Sequence, residues 1–231
     1  MSSLWNNRIS ISIFGEAQGP AIGVILDNLP PGEYIDVEEL ARFLSRRNST
    51  KEVTSRSDNN MPQILSGVIN ERTTGTPLCA FIQNNEVYSP RQSNLSRLAR
   101  PGHADYTGTV RYKGFNDVRD GGHLSQRLMT PLCFAGAVCG QILERRGIYT
   151  GAYIAELHNI KDTPFNPTNI TRQNIIDLRY KEFPVINDKK GKLMQKDIIK
   201  AQESNDTLGG VIECASINVP AGIGSPIFDG L

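Results

Sequence analysis

Ile9, Ile11 and Ile13 fall on one face of residues 8–14, and a second β-rich run fills residues 21–26 before the turn at Pro30-Pro31-Gly32. A period of two is the mark of a half-buried strand. The chain therefore begins with two strands flanking the loop Gly15-Glu16-Ala17-Gln18-Gly19. The period then changes: Asp36 followed by Glu39 resembles a capping box, and Val37, Leu40, Phe43 and Leu44 recur at helical spacing up to Arg46 and Arg47. Residues 48–60 are almost wholly polar and read as a surface loop. Gln63–Ile69 and Pro77–Gln83 read as the two strands of a hairpin joined through Thr74-Gly75-Thr76. Thr130–Arg145 is helical, and Ala135, Gly136, Ala137 and Gly140 suit a tightly packed core helix. A strand near 149–157, a polar helix near 190–203 and a β-rich run from Val211 to Val219 follow. No linker, repeat or low-complexity tract divides the chain, which predicts a single domain over residues 1–231.

The charges nearly cancel, with 25 Lys+Arg against 24 Asp+Glu in 231 residues, so nothing favours a nucleic-acid or membrane-surface partner. The longest charge-poor stretch, residues 128–143, is interrupted by Thr, Gln, Gly and Pro and is too short to span a bilayer. Met-Ser-Ser-Leu-Trp-Asn-Asn-Arg is not a signal peptide, and a cytoplasmic location is expected. Cys79, Cys133, Cys139 and Cys214 lack metal-ligand spacing, so no metal is expected, and they read as small buried thiols in a reducing compartment.

Chemistry gathers in residues 84–127, at Arg-Pro-Gly-His-Ala-Asp (100–105) and Arg-Asp-Gly-Gly-His (119–123). Arg47, Arg56, Arg100 and Arg127 carry guanidinium forks suited to phosphate and carboxylate, although an arginine taken singly is more often a solvated surface charge. His103 is placed for acid–base work or for a hydrogen bond to a cofactor, with Asp105 near enough to orient it; a structural histidine is an equal reading. His123 adjoins Gly121-Gly122 and Ser125, while His158 has no neighbours that single it out. No Gly-x-Gly-x-x-Gly after a strand, Walker loop or Gly-x-Ser-x-Gly elbow is present. The residues alone lead to an enzyme with an anion-binding pocket.

Five blocks resemble the chorismate synthase family. Phe14-Gly15-Glu16-Ala17-Gln18-Gly19 is similar to its Phe-Gly-Glu-Ser-His-Gly, and Arg100-Pro101-Gly102-His103-Ala104-Asp105-Tyr106-Thr107-Gly108 matches its second signature throughout. Ile64–Val68 with Thr73–Pro77, and Gly209–Glu213 with Val219–Gly222, match two more. Asp120-Gly121-Gly122-His123-Leu124-Ser125-Gln126-Arg127-Leu128 resembles the third signature in its clostridial-type form, Gly-Gly-His-Phe-Ser-Gly-Arg-Leu.

The resemblance implies an α+β fold, a β-α-β sandwich with helices between two antiparallel sheets, assembled as a homotetramer. It also implies a carbon–oxygen lyase of the shikimate pathway, in aromatic amino acid biosynthesis. That activity is the 1,4-anti elimination of phosphate from 5-enolpyruvylshikimate 3-phosphate to give chorismate, with reduced FMN, no net redox change and NADPH as the possible reductant. His103 aligns with the histidine that steadies the reduced flavin. His123, Leu124 and Ser125 would line the flavin, and Arg47, Arg56, Arg100 and Arg127 would hold the substrate's anions, Arg47 also meeting the reductant's phosphate.

Gln18 aligns with a second catalytic histidine, and an amide has no proton to give near neutrality. Arg46-Arg47-Asn48-Ser49 stands where the family has Arg-Arg-Arg-Pro-Gly. Family members continue beyond the block matching Gly224–Asp229, so the chain is expected to be C-terminally truncated, with its second sheet incomplete and a catalytic aspartate missing. A non-catalytic relative that binds flavin or substrate, or serves only as an assembly partner, is the alternative reading.

Overall fold

A computed structural model describes residues 3–46, 61–84 and 98–223, and its first sheet is built on the isoleucine alternation. The N-terminal strands are β1 (Leu4–Asn6), β2 (Ser10–Gly15) and β3 (Ala21–Asp27), followed by helix α1 (Val37–Ser45). Asp36 Oδ1 accepts the Glu39 N–H at 2.9 Å, which satisfies one of the open donors at the start of α1. Then come β4 (Gln63–Ser66), the short β5 (Val68–Ile69) and β6 (Arg72–Thr73), and β7 (Leu78–Gln83).

The five-stranded sheet runs β1-β2-β3-β7-β4, antiparallel throughout, with Ile13 opposite Val24 and Ile22 opposite Ile82. Leu78, Ala80 and Ile82 alternate inward along β7, and Val24 and Leu26 do so along β3. Ile22 and Ile82 meet Leu128, with Ile13 packed against them.

The expected hairpin of two strands is modified. Residues 63–69 break at Gly67, whose φ of +84° and approach to Leu78 (an added Cβ would lie 2.3 Å from Leu78 Cα) exclude a side chain. The separate hairpin β5–β6 then forms, turning at Asn70 and Glu71, both at positive φ.

Helix α2 (Asp105–Arg111) carries no periodic signal in the sequence, because Thr-Gly-Thr-Val gives no apolar stripe. After 3-10 segments at Arg119–Leu124 and Gln126–Leu128 comes α3 (Met129–Arg145). Its Phe134, Ala135, Ala137 and Val138 are buried, whereas nothing lies within 4 Å of a Cβ built on Gly136 or Gly140, so the glycines of this helix do not serve close backbone approach among the described residues.

The described residues form two compact units, one drawn from Met1–Ser45 and Asp58–Cys139, the other chiefly from Gly140–Leu231. The second holds β8 (Tyr149–Leu157), β9 (Ile160–Lys161), α4 (Arg172–Tyr180), α5 (Asp188–Glu203) and β10 (Gly210–Ile217), with an antiparallel sheet in the order β10-β8-β9. Tyr153, Phe165 and Leu178 make its core, the Tyr153 and Phe165 rings meeting edge-on at 4.6 Å. The Tyr153 hydroxyl donates to Glu213 across the β8–β10 pair and accepts the Phe165 N–H. α4 begins with a reciprocal cap between Thr171 and Asn174, and the Asp162 carboxylate accepts the Ile186 and Asn187 N–H groups just before α5.

The thiols depart from expectation: Cys79, Cys133 and Cys139 are half-buried and Cys214 is exposed. Cys214 neighbours Glu213, which faces Tyr153, so strand alternation turns it to the opposite side of the sheet. No helix among the described residues is long and apolar enough to cross a membrane, and no cluster of His, Cys, Asp or Glu there could hold a metal ion.

Candidate functional site

The first unit brings three loops together: Gly15–Gly19 between β2 and β3, Arg100–Asp105 before α2, and Arg119–Arg127 before α3. Their meeting point is Gly121-Gly122. Gly121 has φ +84°, and Gly122 has φ +53° and ψ −126°, a combination open only to glycine. The Gly122 carbonyl accepts the Ala17 N–H at 3.1 Å.

His103 lies on the other member of the pair. Asp105 Oδ1 is 2.5 Å from His103 Nδ1, and the same carboxylate accepts Arg100 Nε at 2.7 Å, Nη2 at 3.0 Å and the Arg100 backbone N–H at 3.1 Å. These charge-assisted bonds fix the imidazole's orientation. The Arg100 guanidinium holds the Asp105 carboxyl far below the usual carboxylate range, and Asp105 in turn raises Arg100. His103 Nε2 is directed at the glycine turn, where a Cβ on Gly121 would come within 2.8 Å of it. The ring packs on Gly121, and Arg100 Nη2 lies 3.4 Å from Nε2, so this nitrogen faces both the turn and a guanidinium.

His123 is used differently. Its Nδ1 is 2.8 Å from the Gly15 carbonyl and its Nε2 is 2.5 Å from Ser3 Oγ. A carbonyl only accepts, so Nδ1–H donates and the serine hydroxyl donates to Nε2. Both ring nitrogens are spent on tying the turn to β2 and to the N-terminal residues. Leu124 remains 37% exposed while its Cδ1 rests on Gly108 of α2, where a Cβ would lie only 2.6 Å away. Ser125 is buried, and its Oγ caps the short segment leading to Arg127.

Gln18 is half-buried, and its amide has no hydrogen-bond partner among the described residues. The loop that carries it is tightly held. Asn84, just after β7, donates through Nδ2 to the carbonyls of Ala17 (2.8 Å) and Gly19 (3.0 Å), and its backbone N–H donates to Pro20 (2.9 Å). Arg127, only 8% exposed, donates through Nη1 to the Ala17 carbonyl (2.9 Å) and to Asn84 Oδ1 (3.2 Å).

Glu16 fills the far side of the turn. Its Oε2 is buried without a hydrogen-bond partner among the described residues, next to Gly122. Burial pushes its carboxyl above the ordinary value, His123 and Arg119 oppose the rise, and Asp117 adds to it. Asp117 is itself engaged bidentately by Arg119 and lowered by it.

Of the nine site residues expected from sequence, Gln18, Arg100, His103, His123, Leu124, Ser125 and Arg127 all fall on these three loops. Arg47 and Arg56 lie outside the described residues. Asn84, Glu16 and the Asp117–Arg119 pair were not expected. Glu16 sat in plain view inside a matched block, but neither spacing nor composition marks a single asparagine at a strand end.

The family model described as chorismate synthase matches residues 9–231. A chorismate synthase of Thermococcus kodakarensis is 36% identical over 220 residues, 94% of this chain and 59% of the relative. That of Dehalococcoides mccartyi strain 195 is 37% identical over 235 residues, 100% of this chain and 63% of the relative. A crystal structure of chorismate synthase superimposes with a TM-score of 0.74 at 25% identity, over 95% of this chain and 60% of the other. The chain thus spans about three fifths of the length of the relatives it matches.

Proposed function

This chain belongs to the chorismate synthase family, and from that premise we propose that it acts in the elimination of phosphate from 5-enolpyruvylshikimate 3-phosphate to give chorismate, a lyase step in aromatic amino acid biosynthesis. The observation that supports the reading is the convergence of the Gln18 loop and His103 on one glycine turn, within a chain matched almost from end to end. We further propose that residues 1–231 act as one domain of this family, in the cytoplasm and as a homotetramer, with NADPH as the possible source of reducing equivalents.

The donor set suits reduced FMN. The His103 ring lying against Gly121 and the part-exposed Leu124 offer a polar and an apolar contact to a flat ring, so His103, Leu124 and the backbone around Ser125 would hold it. When bound, reduced FMN would lend electron density to the substrate as phosphate leaves as an anion and regain it from the substrate, so that there is no net redox change. The chain's own residues do the rest. Asp105 fixes His103 so that Nε2 can hold or release a proton, and Gln18 donates its free amide to a phosphate oxygen. Arg100 adds positive charge that Asp105 partly offsets, and Arg47 and Arg56 are assigned to the substrate's anions by family position alone. Arg127, turned inward, contributes its charge through the wall of the site.

Gln18 also favours a second reading, a relative that binds flavin or substrate without turnover, because the position offers no acid. Anaerobic titration with reduced FMN, with and without 5-enolpyruvylshikimate 3-phosphate, separates the two. Phosphate release with a changed flavin spectrum supports the lyase, and a spectral change alone supports the binding relative. No response to either ligand removes both.

A further inference from the structure

We propose that Asn84 is a positioning residue that acts through Gln18, by clamping the backbone of the loop that presents the Gln18 amide. The proposal deepens the functional reading above and rests on it for the identity of the ligand that Gln18 meets.

Three carbonyls flank Gln18 in the loop, those of Ala17, Gly19 and Pro20, and Asn84 engages all of them, two through Nδ2 and one through its backbone N–H. Its remaining side-chain atom, Oδ1, accepts Arg127 Nη1, and the same Nη1 reaches the Ala17 carbonyl. The Ala17 carbonyl thus receives two donors at 2.8 and 2.9 Å, which is saturation for its two lone pairs. From the other direction the Ala17 N–H is held by Gly122, and the Gly19 N–H by the Glu16 carbonyl at 2.9 Å. Gln18 is therefore suspended between two anchored peptide units while its own amide stays uncommitted. This is the arrangement expected where a polar group must be aimed without being used internally.

An asparagine suits the task better than the residues nearest it in shape. Aspartate would keep the acceptor for Arg127 but would set a carboxylate against two carbonyl oxygens. Leucine would remove the Nδ2 donor from the Ala17 and Gly19 carbonyls and the Oδ1 acceptor from Arg127, leaving the Ala17 carbonyl held by Arg127 alone. Arg127, which the sequence assigned to substrate, becomes the second half of the clamp, with Asn84 as the hinge between it and the loop.

The test uses the full chain with reduced FMN and 5-enolpyruvylshikimate 3-phosphate. Substrate affinity is measured by calorimetry for the parent, Asn84→Ala, Gln18→Ala and the double variant, and backbone hydrogen exchange is followed at Ala17 and Gly19. Asn84→Ala is expected to weaken substrate binding roughly tenfold to a hundredfold, the range for one hydrogen bond to a charged group. The double variant should then bind no more weakly than Gln18→Ala alone, because the two act through one contact. Additive losses would overturn the proposal. The Ala17 and Gly19 amides should exchange about tenfold faster or more in Asn84→Ala while amides of β8 are unaffected. If Asn84→Ala does not fold, Asn84→Asp carries the same comparisons. Failure of the parent chain to bind substrate would count against the functional reading and not against the clamp, which unchanged exchange at Ala17 and Gly19 would refute by itself.

Discussion

Replacing Gly122 by alanine should damage this protein more than any single change of similar size elsewhere in the first unit. A Cβ on Gly122 would sit 1.9 Å from the Asp117 carbonyl oxygen and 2.9 Å from its carbon. Non-bonded heavy atoms rest at roughly 3.5 Å, so the Asp117 peptide or the turn must give way by about 1.6 Å. Backbone cannot move that far here without cost. Gly122 O holds the Ala17 N–H, and Asp117 is locked to Arg119. The conformation at φ +53°, ψ −126° adds about 1–3 kcal/mol of strain for any L side chain, and overpacking typically adds about 1–3 kcal/mol. The expected loss is about 2–6 kcal/mol, a large part of the roughly 5–15 kcal/mol that stabilises a domain. Urea unfolding measures it through the midpoint at unchanged m-value. Gly136→Ala is the internal control: that glycine sits in α3 with nothing within 4 Å of its added Cβ, and should gain about 0.5–1 kcal/mol. A Gly122→Ala protein that loses less than about 1 kcal/mol while the Ala17 amide stays protected would refute the steric argument.

Tyr153→Phe should cost about 1–3 kcal/mol, because Glu213 and the Phe165 N–H lose their shared partner inside the second unit. Burial first, and then the Glu213 hydrogen bond, push the Tyr153 hydroxyl up to about 12, so the folded chain keeps this proton longer than the unfolded one. The resulting stability is intact below the ordinary tyrosine value of about 10 and is lost as pH climbs from there toward 12. Alkaline urea titrations should show that decline in the parent and a shallower one in Tyr153→Phe. Asp105 has the opposite sign: its lowered carboxyl contributes stability above the ordinary value of 3.8, and that contribution drains away as pH falls below it. Asp105→Asn should cost about 1–2 kcal/mol near neutrality, the half-exposed Arg100 being partly screened; an equal acid sensitivity in parent and variant would exclude the assignment. Gln18→His should accelerate phosphate release by roughly 100- to 10,000-fold if the loop is otherwise competent, the range for a restored general acid. A folded, substrate-binding histidine variant with no gain would place the defect elsewhere.

Periodic segments were legible from sequence alone, and the reason is burial on one face. β3, β7, α1, α3, β8, α5 and β10 each begin and end within a few residues of the pattern that announced them. What escaped had no such stripe. α2 is seven residues carrying Thr, Gly and Thr, and it owes its place to Asp105 bonding back to Arg100 and to Gly108 resting on Leu124. α4 shows a low apolar content but starts at a Thr171–Asn174 cap that a capping-box search restricted to Glu or Gln at the third position passes over. The break at Gly67 was hidden for a similar reason, since only the approach of Leu78 makes glycine necessary there.

In the site, residue type revealed which groups carry chemistry and not how each is deployed. Arg100, Arg127, His103 and His123 all looked like ligand-binding groups, yet deployment depends on which neighbours reach them first. His103 keeps Nε2 directed at the glycine turn because Asp105 occupies Nδ1, whereas His123 gives both nitrogens to Ser3 and Gly15, more than a hundred residues away in sequence. Arg127 turns inward because the Ala17 carbonyl and Asn84 lie within reach of a buried guanidinium, and an arginine taken out of water must find acceptors. The consequence runs back to Gln18. A loop anchored at both neighbouring peptides cannot swing to bring a different group to the ligand, so the chemistry at this position is limited to what the side chain of residue 18 can do, and for an amide that is to donate a hydrogen bond and keep its proton.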